Sequence, residues 1–110
     1  MTQSEKDFQD TVIEYAQLRG WKVAHFRSVR VQRKNGSIYY QTPVQADGAG
    51  FPDLCLVRLS RILFIELKSD KGKVSPAQNE WLEALADTEK VEVYVWKPAD
   101  FKQEIVEVLA

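Results

Sequence analysis

Apolar residues recur at helical spacing between Ser4 and Arg19, where Phe8, Val12, Tyr15, Ala16 and Leu18 make one stripe. Ser4 is placed to cap that helix, Glu5 and Asp7 fall in a first turn whose dipole favours anions, and Gly20 ends it. The period then changes. Residues 21–27 (W-K-V-A-H-F-R) alternate apolar and polar, which predicts a strand with one buried face. Asn35-Gly36 lies between two β-prone runs, so residues 29–33 and 37–42 read as the arms of a hairpin.

A glycine-rich loop at 45–52 (Q-A-D-G-A-G-F-P) leads into residues 53–58, a tight connection at 59–61, and residues 62–68. The apolar composition of these two runs predicts an antiparallel pair in a central, covered position. A charged loop follows at 69–74, then a helix at 75–86, a strand at 91–96 and a terminal helix at 98–109 with Pro98 in its first turn. The order predicts one α/β domain over residues 1–110. Its architecture is a mixed central sheet flanked by helices, an α-β-β-β-α-β core with an inserted β-hairpin.

Composition narrows the class. A chain of 110 residues with 45% apolar and 28% charged residues supports one folded core. No apolar run reaches the length of a membrane span, and the opening MTQSEKDFQD is polar and acidic, unlike a secretory signal. Cys55 is the one cysteine, which excludes an internal disulfide and a multi-cysteine zinc site. These features suggest a soluble protein of the cytoplasm.

The net charge of −1 does not announce a nucleic-acid binder, but its distribution is uneven. Between Tyr15 and Ala46 there is no acidic residue, while Arg19, Lys22, Arg27, Arg30, Arg33 and Lys34 are all basic. From Val74 onwards acids outnumber bases. A basic segment can meet phosphates while the acidic remainder maintains solubility. In the hairpin, Arg30, Arg33 and Lys34 accompany Tyr39 and Tyr40, a mixture suited to phosphates and exposed bases; with Arg27 they form the candidate nucleic-acid surface. An ordinary polar surface hairpin would look the same.

The densest chemistry is in I-L-F-I-E-L-K. Glu66 and Lys68 are two apart on a strand and so share one sheet face. A carboxylate at the end of an apolar strand is costly to bury without compensation. Asp53, just after Pro52, should come close to Glu66 and Lys68 if the connection at 59–61 folds the chain back. Two carboxylates then supply hard oxygen ligands of the kind Mg²⁺ takes, with the backbone carbonyl of Leu67 as a further donor. Lys68 would hold an attacking water or a phosphate oxygen.

Those residues carry a family resemblance. F-P-D-L at Phe51 to Leu54 with E-L-K at Glu66 to Lys68 is similar to the P-D…(D/E)-x-K signature of the PD-(D/E)XK nucleases. S-x-x-Q-x-x-W at Ser75 to Trp81 and the closing V-W-K-P resemble the VRR-NUC branch of that superfamily. The resemblance implies Asp53 and Glu66 as metal ligands, Lys68 as catalytic, Gln78 as a helix glutamine reaching the site, and Glu5 as a first-helix acid that completes the metal shell. It also implies Mg²⁺ as cofactor, with Mn²⁺ substituting. Small stand-alone members form homodimers that cut four-way DNA junctions, whereas the module fused in larger proteins acts on flaps and other branched ends.

Each residue also has a plainer account. Glu66 and Lys68 could be an ion pair, and Asp53 a turn residue after proline. Ser75-Pro76-Ala77-Gln78 is a capping box, which explains Gln78 without chemistry. Asp7 or Glu14 could replace Glu5 as the acid facing the site. Gly48 and Gly50 permit unusual backbone angles or the close approach of a nucleic-acid strand. Trp81 and Cys55 read as packing, and His25 as a structural histidine. Two other classes therefore stand beside a DNA endonuclease: a DNA-binding module of nuclease fold without activity, and a structural subunit.

Overall fold

The computed structural model describes residues 3–26, 29–41 and 44–110. Helix α1 (Gln3–Leu18) buries the expected stripe, with Phe8, Val12 and Ala16 in the core. It starts one residue early, so Ser4 lies inside the first turn instead of capping it. Its end is a Schellman turn: the Trp21 N–H donates to the Ala16 carbonyl at 3.0 Å and the Gly20 N–H to the Gln17 carbonyl at 3.0 Å. Gly20 takes the positive φ of 88° that this motif requires.

Four strands form the main sheet: β1 (Lys22–His25), β4 (Leu54–Arg58), β5 (Arg61–Leu67) and β6 (Val91–Trp96), in the order β1-β4-β5-β6. The first three are antiparallel, and β6 runs parallel to β5 after the crossover helix α2 (Pro76–Ala86). The sheet is thus mixed, as its sequence order implies. Register places Leu54 opposite Ile65 and Leu56 opposite Leu63. All four are fully buried and pack with α1, Trp96, Ile105 and Leu109. Each such side chain stabilises the fold by about 1.5–3 kcal/mol through burial, and Leu63→Ala would cost about 2–5 kcal/mol.

The other face carries Cys55, Phe64 and Glu66. Phe51 covers part of it, with its ring in edge contact with Phe26, Phe64 and Trp81. The terminal segment departs from one regular helix. Pro98–Asp100 forms a 3-10 turn, Phe101–Ile105 a π turn, and Val106–Leu109 the short helix α3. The wider middle turn sets Phe101 edge-on against Tyr15 while Ile105 and Leu109 still reach the core. No described helix is long and apolar enough to cross a membrane.

The predicted hairpin forms from β2 (Val29–Gln32) and β3 (Ile38–Gln41) as a separate two-stranded sheet. Its loop closes through Gly36, whose N–H donates to the Arg33 carbonyl at 2.9 Å and whose φ is 89°. The Arg33 N–H donates to the Ser37 carbonyl at 2.8 Å. The turn therefore has three loop residues, with glycine at the left-handed position.

Candidate active site

Asp53, Glu66 and Lys68 converge at one end of the β4–β5 pair. Pairing Leu54 with Ile65 fixes Asp53 beside the last residues of β5. Its Oδ2 accepts the Leu67 N–H at 2.8 Å. Glu66 is only 2% exposed, although it is a carboxylate. Its Oε1 accepts Gln78 Nε2 at 3.0 Å and lies 3.9 Å from Lys68 Nζ. Its Oε2 is buried and, among the described residues, has no hydrogen-bond partner.

Burial first, and then the neighbouring charge of Asp53, push the Glu66 carboxyl up to about 8, while Lys68 draws it down. Burial also pushes Asp53 up, against the Leu67 N–H, the adjoining Glu66 carboxyl and the charges of Lys68 and His25. The two acids perturb one another. Once both are ionised neither can donate, and Glu66 Oε2 is left without a counterpart. A hard divalent cation would satisfy that oxygen. Among the described residues no group of three or more His, Cys, Asp and Glu converges. The donor set therefore suits an ion that completes its shell with water, carbonyl and phosphate oxygens, as Mg²⁺ does, better than it suits zinc.

Gln78 makes both the capping contact and a contact with the site. Its Oε1 accepts the Ser75 N–H at 2.9 Å, and its backbone N–H donates to Ser75 Oγ at 3.2 Å, which completes the capping box. The cap needs the oxygen end of the amide, so the nitrogen end is turned to Glu66. Gly50 makes this placement possible: at φ 83° it packs so tightly on α2 that a Cβ would lie 2.5 Å from the Ala77 carbonyl carbon. The close approach at this glycine is thus by the protein's own helix. Gly48 likewise packs against Val44, where a Cβ would lie 2.4 Å from that residue. Trp81 Nε1 pins the same loop by donating to the Asp47 carbonyl at 2.9 Å.

The site opens into a cleft of about 910 Å³ between α1 and the loop after β5. This end of the molecule also decides its kinship, because the chain is similar to known proteins in the segment that builds it. The VRR-NUC domain model matches residues 31–99. The chain belongs to the VRR-NUC family. A solved structure described as a VRR_NUC domain protein shares its fold, with a TM-score of 0.60 and 23% identity over 96% of this chain and 89% of that one. No curated protein matches. VRR-NUC is a nuclease-type family, and nuclease function is the reading that membership supports. The matched segment holds Asp53, Glu66, Lys68 and Gln78 but not α1.

The α1 contribution rests on the structure alone. Glu5 and Asp7 line the cleft, whereas Glu14 faces a separate shallow groove with Tyr15 and Leu18. The hairpin residues Arg30, Arg33, Lys34, Tyr39 and Tyr40 do not line the cleft. They are also divided: Arg30 pairs with Tyr40 on one face, while the Arg33 guanidinium sits 4.1 Å from the Tyr39 ring centroid on the other. Arg27 lies outside the described residues.

Two groups escaped the sequence reading. Gln9 is only 4% exposed, lines the cleft and contacts the ring of His25, whose charge reaches Asp53. The signal was a glutamine one residue from the apolar stripe of α1. The loop at 69–73 supplies Lys71 and Lys73 to the cleft wall. Its charge was evident, but its position was not.

Proposed function

We propose that the chain is a divalent-metal-dependent DNA endonuclease hydrolysing phosphodiester bonds. The observation that carries this reading is the convergence of Asp53, Glu66 and Lys68 on an open cleft, with a buried Glu66 oxygen that has no hydrogen-bond partner among the described residues. Asp53 and Glu66, with the backbone carbonyl of Leu67, would hold the ion, and Glu5, which lines the same cleft, would reach its shell through a bound water. Bound Mg²⁺, or Mn²⁺ in its place, lowers the pKa of water and offsets charge on the phosphate. Lys68 orients the attacking water or a phosphate oxygen through its ammonium. Gln78 holds Glu66 in the orientation that serves the ion.

The substrate in this reading is branched DNA, a four-way junction or a flap, and the working unit is a homodimer whose two-fold symmetry presents equivalent sites to the arms. The hairpin, away from the cleft, contacts a duplex arm through Arg30, Arg33, Lys34, Tyr39 and Tyr40, and Arg27 extends this surface. A cleavage panel over single-stranded, duplex, flap and four-way DNA tests the proposal. Cutting with Mg²⁺ or Mn²⁺, none with Ca²⁺ or chelator, and binding without cutting by Asp53→Ala are expected. Binding without cutting by the unaltered protein under every metal condition would leave only a DNA-binding module.

A further inference from the structure

Helix α1 lines the cleft with Glu5 and Asp7, and the loop after β5 lines it with Lys71 and Lys73 beside Asp70. Lys71 and Lys73 are exposed, and among the described residues neither forms an ion pair. An ammonium in this state has its donors available to a ligand at no cost in broken protein contacts.

The loop that carries them is fastened at its base. The Gly72 N–H donates to the Ser69 carbonyl at 2.9 Å, closing a tight turn around Asp70 and Lys71. Asp70 Oδ1 accepts the Ala99 N–H at 3.2 Å, and its carbonyl accepts Lys97 Nζ at 3.3 Å. The acid within the turn is thereby engaged with the start of the terminal helical segment, and the lysines on either side of it remain at the cleft. The Lys68 N–H donates to the Trp96 carbonyl at 2.9 Å, so the strand that presents the catalytic lysine runs directly into this turn.

We infer that Lys71 and Lys73 form a phosphate-binding subsite that seats the DNA backbone next to the scissile bond, so that the cleaved strand runs along residues 69–73. This rests on the endonuclease reading and names how that site takes its substrate. The lysines attract phosphates, which sets the side on which the backbone lies. Asp70 acts as a positioning residue for the pair. The described hairpin residues do not line the cleft.

The test is DNA binding and cleavage by a Lys71→Ala/Lys73→Ala variant, with a labelled flap DNA as probe and Ca²⁺ present in the binding assay. We expect affinity to fall by about tenfold or more at moderate salt, and the slope of log K against log salt to shrink by about 1.5–2. KM should rise while kcat at saturating DNA stays within a few-fold. Lys71→Arg/Lys73→Arg should restore both slope and affinity, which a change in folding would not allow. Unchanged affinity and slope in the alanine variant overturn the subsite, and so does failure of the arginine pair to rescue a loss. Cleavage by the unaltered protein in Mg²⁺ separately decides the endonuclease reading. An Asp70→Ala variant should show part of the same KM effect with the salt slope retained, since both ammonium groups remain.

Discussion

The β4–β5 pair carries charged side chains at both of its ends and treats them in opposite ways. At the turn end, Arg61 forks onto Glu92 with two bonds of 2.7 Å and also donates to the Val108 carbonyl. Arg58 donates to the carbonyls of Arg19, Leu109 and Ala110, closing the last turns of two helical segments. Both guanidinium groups also lie over the Trp21 ring. Hydrogen bonds from Arg61 hold the Glu92 carboxyl below the usual range, and Glu92 raises Arg61. At the cleft end, burial drives Asp53 and Glu66 upward, and one oxygen of Glu66 has no donor among the described residues. The same strands thus show that this fold can satisfy its charges. Where it does not, the shortfall marks a candidate site.

The contrast is broken most forcefully by neutralising the cleft end. Asp53→Asn and Glu66→Gln should each lower cleavage by about 10³-fold or more, because several kcal/mol of charge stabilisation would accompany the ion they are proposed to hold. Melting temperature should stay level or rise, since an amide removes a buried charge. A clear drop in both variants would show that the pair serves the fold. At the turn end the expectation reverses. Arg61→Ala should cost about 1–3 kcal/mol and about 5–15 °C in melting temperature, with activity per folded molecule unchanged.

The two ends should also titrate in opposite directions. Without a divalent ion, unfolded Glu66 loses its proton near the ordinary 4.5 and the folded residue near about 8. The native state then holds the extra proton, so its stability falls as pH rises through that window. Asp53 acts in the same sense. Glu92 contributes stability that is present above the ordinary glutamate pKa and lost as pH falls through its lowered value. Thermal melts between about pH 5 and about pH 8 should show a decline of a few degrees that Glu66→Gln flattens and Mg²⁺ reverses. A decline unaltered by that substitution would assign it to other groups.

The smallest effect separates the roles of Gln78. Gln78→Ala should cost about 1 kcal/mol for the lost cap and reduce cleavage about tenfold. Gln78→Glu keeps the capping acceptor but sets a carboxylate against Glu66. It should retain most of the stability and lose the activity, and equal losses in both would leave only the cap.

How legible these features were in the sequence depended on range. Helix α1, the Asn35-Gly36 turn and the cap of α2 are written locally, in apolar period, glycine placement and S-P-A-Q, and each formed within a residue or two of expectation. Asp53 meeting Glu66 needed only one tight turn between adjacent strands, so spacing sufficed. The contact of Gln9 with His25 and the placing of Lys71 and Lys73 in one cleft with α1 depend on how elements distant in sequence dock. No local pattern encodes that. The π turn at Phe101–Ile105 was hidden for the same reason, because its register answers to Tyr15 on another helix. The apparent competition over Gln78 came from treating one side chain as one group, when the two ends of its amide serve different partners.

Titration calorimetry of Mn²⁺ in buffers of different protonation enthalpy addresses the cleft directly. The unaltered protein should bind at one saturable site per chain and release protons at neutral pH, as the raised carboxyls give theirs up. Both signals should vanish in Asp53→Asn/Glu66→Gln. Saturable binding with undiminished proton release in that double variant, or no saturable binding by the unaltered protein, would contradict the account.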